Sequence, residues 1–337
     1  MYILGIESSC DDTACAVVED GEKILSNVVS SQDRIHAAFG GIVPEVACRK
    51  HIENILPVLG ESLNDANVRL DDIDALAVTS RPGLIGALLI GVTAAKSLSW
   101  ALDVPLVDVD HIQAHIYGAW MGEAKPPLPA LSLVASGGHT SLFKTESPLE
   151  HALLGATADD AAGEAFDKVA NILQLGFPGG PAIEKAAKKG DPGRLDLPRS
   201  WINAEHFNFS FSGLKTAVLY RCLGQNASKE DIENASYTPA FVADVAASFQ
   251  EAVVDVLVAK TCSAAEQNSA ESVILGGGVA ANSLLRQRLS EETERSGLRL
   301  IMAPWELCRD NAAMIAGLAF HLRKTGREAD LRLEAQP

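Results

Sequence analysis

"YILGIESSCDDTACAVVED", residues 2–20, reads as two strands, YILGIE and ACAVVED, joined by the tight polar turn SSCDD. The same grammar returns at residues 130–145, where ALSLVASGGHTSLFKT is strand, Gly-rich turn and strand again. After the first copy come a third strand around KILSNVVSS, a helix over 45–63 with Pro44 suited to its first turn, the strand ALAVTS, the turn RPGLIG, a helix over 87–102 and the strand VPLVDV. Val46, Ile52, Ile55, Leu56, Leu59 and Leu63 make one apolar face of the 45–63 helix. After the second copy come a helix over 239–267, the strand SVILGGG, a helix from about 282, the strand LRLIMA and a final helix near 311–324. A repeated strand–turn–strand unit that leads each time into alternating strands and helices predicts an α/β protein of two related lobes around a ligand cleft. The stretch EAKPPLPA breaks all periodicity near residue 124. The expected division is therefore a first lobe over 1–124, a second over 125–310, and a C-terminal helix and tail over 311–337 that packs back on the first lobe.

Composition narrows the chemistry. The chain has 337 residues, 47% of them hydrophobic, enough for two buried cores. Its 44 acidic residues against 28 basic ones give a formal net charge of -16, which argues against gripping a polyanion by bulk charge. A nucleic-acid contact would need a local basic patch, for which Lys185, Lys188, Lys189, Arg194 and Arg199 form one cluster in sequence and Arg323, Lys324 and Arg327 another. Six cysteines lie scattered with no C-x-x-C pair, which suits a reducing compartment. The N-terminus lacks a basic region followed by a long apolar core, and the apolar run Ala87–Leu102 is broken by Lys96. The expectation is a soluble cytoplasmic protein without a membrane partner.

Four stretches bear chemistry. In DHIQAHIYGAW, His111 and His115 stand four apart on one helical face, where both imidazoles can meet one ion at about 2.0–2.1 Å, or can simply lie at the surface of a helix end. A metalloprotease would place Glu directly after the first histidine, and this chain has Ile112 there. A third ligand must come from elsewhere, and Asp310 in CRDNAAM, just ahead of the last helix, is the candidate. The turns around Ser136, Gly137, Gly138 and His139 and around Gly276–Gly278 each read as a plain tight turn or as backbone converging on an anion; together at strand ends they favour a nucleotide. DDAAGEAFDKVA carries Asp159, Asp160, Glu164 and Asp167 on a predicted helix, followed by a Gly-Pro-rich turn with Gly179 and Gly180. These carboxylates are either a solvated helix face or, with Gly180, a ribose contact through Asp167. FNFSFSGLKTA, residues 207–217, reads as a strand or loop over the cleft.

The motifs GIESSCDDTACAVV, GGIVPEVACRKH, PGLIGALLIGVTAAKSL, H-x-x-x-H, SGGHTSL, DDAAGEAFDKVA, FPGGP, FSFSGLKTA, LGGGVAAN and CRDNAAMIA, in this order from Ile3 to about Phe320, together resemble the tRNA adenosine threonylcarbamoyltransferase family, once described as O-sialoglycoprotein endopeptidases. The resemblance implies two duplicated actin-like (ribonuclease H-like) lobes around a central ligand cleft. It implies transfer of the threonylcarbamoyl group of threonylcarbamoyl-adenylate to the exocyclic amine of the adenine beside the anticodon, in tRNAs reading codons that begin with A. Carried onto this chain, it makes His111, His115 and Asp310 the ligands of one divalent metal. Val134, Ala135, Ser136, Gly137, Gly138, Asp167, Gly180, Glu184 and Asn282 become contacts of the adenylate. Two histidines and a carboxylate with open positions suit Fe(II), with Zn(II) as the alternative. Asp11 and Asp12 in the first turn are acceptors for the proton that leaves the amine. The implied partners are tRNA, a companion paralogue of the same fold and a small ATPase.

The chain departs from the family pattern at Arg81 in SRPGL, where Gly is usual, at Ala135 in VASGG, where a larger aliphatic is usual, and between the ligands of DHIQAH. None of these removes a ligand. Two other functions are compatible with such a fold. A scaffold subunit that has lost catalysis is opposed by the intact His111, His115 and Asp310. A small-molecule kinase or ATPase would need an Asp beside the second Gly-rich turn, where His139 stands.

Overall fold

The structure, a computed structural model, describes residues 1–121, 125–202 and 204–337, with Lys229 described by its backbone alone. Glu123 and Ala124, at the expected lobe boundary, lie outside the described residues. The chain forms two compact units, one of Met1–Ala124, Pro148–Glu150 and Ala303–Pro337, the other of Lys125–Ser147 and His151–Met302.

The first unit is built on five strands: β1 (Tyr2–Glu7), β2 (Thr13–Glu19), β3 (Lys23–Ser30), β4 (Ala75–Arg81) and β5 (Leu106–Asp110). Their order is β3-β2-β1-β4-β5, with β1, β2 and β3 antiparallel and β1, β4 and β5 parallel. Successive side chains point to opposite faces of a strand, and the buried residues sort accordingly. Leu4, Ile6, Cys15, Val17, Leu76 and Val78 enter one core, with helices α1 (Pro44–Ala66) and α2 (Ile85–Leu102). Ile3, Ala14, Ala16, Val18, Ala75 and Ala77 enter the other, beneath helix α3 (His111–Trp120) and the last helix. That last helix crosses β1 very closely. A Cβ on Gly5 would stand 2.5 Å from the carbonyl oxygen of Ala312, so only glycine fits there.

The second unit repeats the plan. Strands β6 (Ala130–Ala135), β7 (Thr140–Ser147), β8 (Glu150–Ala156), β9 (Ser272–Gly276) and β10 (Arg299–Met302) run in the order β10-β9-β6-β7-β8. β6 and β7 are antiparallel, whereas β6, β9 and β10 are parallel, so β6 here occupies the place of β1 in the first unit. The helices are α4 (Ala162–Ile172), α5 (Gly179–Ala187), α6 (Ser212–Leu223), α7 (Pro239–Gln267) and α8 (Ser283–Arg295); α9 (Ala312–Lys324) is the last helix of the first unit.

Four local expectations need correction. Asp159 and Asp160 precede α4 rather than lying on it. Gly179 and Gly180 open a helix instead of ending a turn. The segment read as a strand or loop over 207–217 becomes helical from Ser212, because Asp159 accepts the N–H groups of Phe211 (2.8 Å) and Ser212 (3.2 Å) and the Ser212 hydroxyl (2.8 Å). β8 has no counterpart in the sequence reading: it is a half-exposed edge strand without a clean alternation.

Candidate functional sites

In the first unit, β5 runs directly into α3. Asp110 caps that helix by accepting the N–H groups of Ile112 (2.9 Å) and Gln113 (3.0 Å). Arg81 spans Asp108 at 2.6 Å and Asp110 at 3.6 Å, so the strand end and the cap are held together. His111 and His115 then share one face, with ring centroids 4.6 Å apart. Asp310 Oδ1 lies 3.4 Å from the Nε2 atom of each. One ligand atom from each of the three residues falls within 4.8 Å of the others.

Glu7, fully buried at the end of β1, organises this group. It accepts hydrogen bonds from the Thr79 hydroxyl (2.5 Å), the Ser9 N–H (2.5 Å) and His111 Nδ1 (3.0 Å). A carboxylate on Nδ1 fixes the tautomer that turns Nε2 toward Asp310. Burial opposes charge on His111, but Glu7 and Asp310 carry its pKa well above the usual value. Burial likewise works against the Asp310 carboxylate, and the two histidines bring it well below the ordinary range. His115 is different: burial dominates and depresses its pKa, and neither ring nitrogen has a hydrogen-bond partner among the described residues. Asp310 at 3.4 Å is the one polar group facing Nε2 among the described residues, too long for a good hydrogen bond, and a cation between the three side chains would satisfy the buried imidazole better. The residues therefore fit a divalent metal.

The turn SSCDD lies beside this group. Burial and then Asp310 push the Asp11 carboxyl up to about 6. Burial raises Asp12 to about 7 although Arg309 works against it. The Arg309 guanidinium meets Asp12 at 3.1 Å and Asp33 at 2.7 Å, so Asp12 is tied into a salt-bridge network. His51 of α1 fastens the same turn: Nε2 donates to the Cys10 carbonyl (2.9 Å) and Nδ1 accepts from the Thr13 hydroxyl (2.8 Å). Glu7, His51 and Arg309 were not singled out from the sequence. A lone carboxylate inside an apolar strand has no spacing to betray it. His51 and Arg309 stand within quoted motifs, but their partners lie far away in the chain.

In the second unit, the two Gly-rich turns leave the ends of neighbouring strands, since Val134 of β6 is in register with Gly276 of β9. Ser136 N–H bonds the His139 carbonyl (2.7 Å) and His139 N–H bonds the Ser136 hydroxyl (3.2 Å). The turn thus closes on itself and leaves the exposed Gly137 and Gly138 with open space where a side chain would be. Val134 and Ala135 are sealed in the sheet, main chain included, and pair with β7, so they hold the turn in place rather than face a ligand. α4 starts against this turn, where Gly163 N–H bonds the Ser136 carbonyl (3.1 Å). Asp167, one turn along α4, accepts the Gly179 N–H at 2.7 Å and so places the start of α5. Gly180 follows with open space around it, and Glu184 is half-buried one turn further on. Asn282 is buried; it caps α8 through Leu285 N–H (3.0 Å) and donates to Gln250 (2.9 Å), so its side chain is already engaged. Ligands of parallel sheets gather at the C-terminal ends of the strands, where these turns lie.

Comparison with known proteins follows this geometry. Residues 23–317 match the family described as tRNA N6-adenosine threonylcarbamoyltransferase. A protein of that name from Moorella thermoacetica is 49% identical over 340 residues, covering 99% of this chain and 96% of the relative. Another, from Symbiobacterium thermophilum, is 50% identical over 335 residues, covering 99% and 95%. Among solved structures, HypF of T. kodakarensis has a TM-score of 0.60 at 16% identity, with 97% of this chain and 48% of that one covered. Component A of (R)-2-hydroxyglutaryl-CoA dehydratase from Acidaminococcus fermentans has a TM-score of 0.56 at 16% identity, covering 96% and 98%. The structural likenesses establish the fold, which is actin-like in both units. The sequence likeness goes further: this chain belongs to the tRNA N6-adenosine threonylcarbamoyltransferase family.

Proposed function

We propose that the chain passes the threonylcarbamoyl group of threonylcarbamoyl-adenylate to the exocyclic amine of the adenine beside the anticodon, in tRNAs reading codons that begin with A, and that His111, His115 and Asp310 hold the one divalent metal this transfer uses. The observation that carries the metal assignment is the convergence of three side chains: His115, fully buried, has Nδ1 without a hydrogen bond and Nε2 3.4 Å from the same Asp310 oxygen that faces His111 Nε2. Two imidazoles and one carboxylate suit Fe(II), with Zn(II) as the alternative. Held by His111, His115 and Asp310, the metal would supply Lewis acidity that makes the carbamoyl carbon more electrophilic.

The residues of the chain do the rest. Glu7 keeps Nδ1 of His111 protonated, so Nε2 is free to act as a ligand. Gly137, Gly138 and Gly180 bring backbone close to the adenylate, and Asp167, Glu184 and Asn282 frame that site in the second unit, with Val134, Ala135 and Ser136 forming the strand end that supports it. The amine lone pair forms the new C–N bond as the bond from the carbonyl carbon to the phosphate oxygen breaks, so AMP leaves and the amine loses one proton. That amine is a weak nucleophile because its lone pair is delocalised into the ring, so alignment carries much of the acceleration. Of the two acidic residues of the first turn, Asp11 takes the proton, because Asp12 is held by Arg309. We place the reaction in the cytoplasm, with a companion subunit of the same fold and a small ATPase.

The test is incubation with threonylcarbamoyl-adenylate and unmodified tRNA, followed by mass analysis of the nucleosides. Wild type should yield threonylcarbamoyladenosine and AMP, and the His111→Ala/His115→Ala double variant should give no product and bind no metal after anaerobic purification. Equal metal content in the two proteins would refute the ligand assignment. Phosphoryl transfer from ATP in place of the nucleoside product would refute the transferase reading.

A further inference from the structure

A chain of net charge -16 has to hold a polyanionic substrate, and the structure separates two basic clusters that look alike in sequence. In the C-terminal cluster, Arg323 is engaged with Glu328 at 3.4 Å and Lys324 lies over the Phe320 ring, 4.1 Å from its centroid, which leaves Arg327. The cluster at the end of α5 is arranged differently. Lys185, Lys188, Lys189 and Arg194 are all exposed, and none forms an ion pair among the described residues. Only Arg199, of the five cations of that stretch, is engaged, with Asp255 at 2.8 Å.

The loop that follows these lysines is fastened down. Asp244 accepts the Asp191 N–H (2.9 Å), Asp191 accepts the Gly193 N–H (2.9 Å), and the Ser248 hydroxyl accepts the Leu195 N–H (3.2 Å). A Cβ on Gly190 would lie 2.0 Å from the Ala243 carbonyl oxygen, so the loop sits directly on α7. Four unpaired cations thus project from an anchored scaffold, with Asp191 turned into the loop instead of toward them. α5 starts at Gly179, against Asp167, and at 1.5 Å per residue Lys188 stands about 12 Å along the helix from Gly180.

We propose that Lys185, Lys188, Lys189 and Arg194 form the surface that binds the phosphate backbone of the tRNA. The proposal rests on the transferase reading and adds to it the place where the acceptor is gripped. One helix then serves both substrates, the donor nucleotide at its first turn and the acceptor's backbone at its last. Phosphate contacts are sequence-independent and salt-sensitive, which gives the surface a signature of its own.

The experiment measures binding of an unmodified tRNA transcript to the full chain by fluorescence anisotropy across a KCl series. Wild type is compared with the triple variants Lys185→Gln/Lys188→Gln/Lys189→Gln and Lys185→Glu/Lys188→Glu/Lys189→Glu, and with Arg323→Gln/Arg327→Gln as the control. Both triple variants should bind at least about tenfold more weakly, with the slope of log K against log[KCl] shallower by about 2 to 3, while the control stays within about twofold of wild type. In transfer assays the glutamine variant should raise KM for tRNA and leave kcat at saturating tRNA intact. Unchanged affinity and slope in both triple variants, a fall in thermal stability as the only effect, or wild-type binding without salt dependence would each overturn the proposal. Product formation by wild type is read separately, so failure of the patch and failure of the transferase reading are distinguishable.

Discussion

The two units share a strand order and a strand–turn–strand opening, yet they use the opening turn in opposite ways. In the first unit the turn after β1 is SSCDD, and what gathers around it is charge: Glu7, Asp11, Asp12, two histidines and Asp310, most of them buried and electrostatically linked. In the second unit the turn after β6 is SGGH, and what it offers is main chain and empty space at Gly137 and Gly138. A duplicated scaffold therefore does not imply a duplicated site. The strand ends supply a position, and the turn residues decide whether that position is filled with charge or cleared for a ligand.

Substitutions that remove charge should cripple the first unit and leave the second unaffected. Asp11→Asn should lower kcat by roughly 10²- to 10⁴-fold at unchanged metal content and adenylate affinity, the range for loss of a general base. Asp12→Asn, which releases Arg309, should cost far less in kcat. Single-turnover kinetics on both variants decides the matter, and the reverse ranking would make Asp12 the proton acceptor. Next in size is Glu7→Gln, for which metal affinity should fall about 10- to 100-fold because His111 loses the partner that orients it. Metal titration by calorimetry under anaerobic conditions measures this, and an unaltered affinity would mean that Glu7 serves only the packing of β1.

Substitutions that fill space should do the opposite. On Gly163 a Cβ would meet the Ser136 carbonyl oxygen at 2.5 Å and Gly137 Cα at 2.8 Å. Gly163→Ala should therefore displace the Gly-rich turn and weaken adenylate binding by about 1 to 3 kcal/mol, with metal content unchanged. An adenylate dissociation constant equal to that of wild type would show that the turn tolerates displacement, and the contrast between the units would lose its basis.

The smallest effect concerns His51. Burial lowers its pKa, so the folded chain binds fewer protons than the unfolded one just below the usual histidine range. Its contribution to stability is intact above the unfolded pKa of about 6.5 and falls as the pH drops through that value toward the depressed folded one. Urea unfolding from pH 7 to pH 5 should show a shallower loss of stability in His51→Gln than in wild type. Identical pH dependence would assign the acid sensitivity to other groups.

How far the sequence was legible follows from where each signal resides. The helix over 239–267 was readable to both ends, because Pro239 opens it and apolar residues recur along it as far as Ala265, with no Gly or further Pro to break it. β1 and β2 were readable because apolar runs flank a polar turn. α6 was not, because the carboxylate that satisfies its first N–H groups, Asp159, comes from about fifty residues earlier. Within the site, spacing alone paired His111 with His115. Asp310 stood out as a carboxylate just ahead of the last helix and was tied to the histidines by the resemblance to a family, whereas Glu7 became visible only when folding brought it against Nδ1 of His111. Local periodicity reports contacts within one element and is blind to those that join remote ones.

The close crossing of α9 over β1 at Gly5 has a consequence for biosynthesis. A ribosome makes the chain from its N-terminus, and about two hundred residues separate His115 from Asp310. At about 5 to 20 residues per second, roughly ten to forty seconds pass between the emergence of the two histidines and that of the third ligand. During this interval β1, β2 and the histidine helix have no α9 to cover Ile3, Ala14, Ala16 and Val18, and the strand carrying Glu7 has one face exposed. On the proposed ligand assignment, metal loading is thus a late event in the life of the nascent chain, completed when α9 docks on β1 and β2.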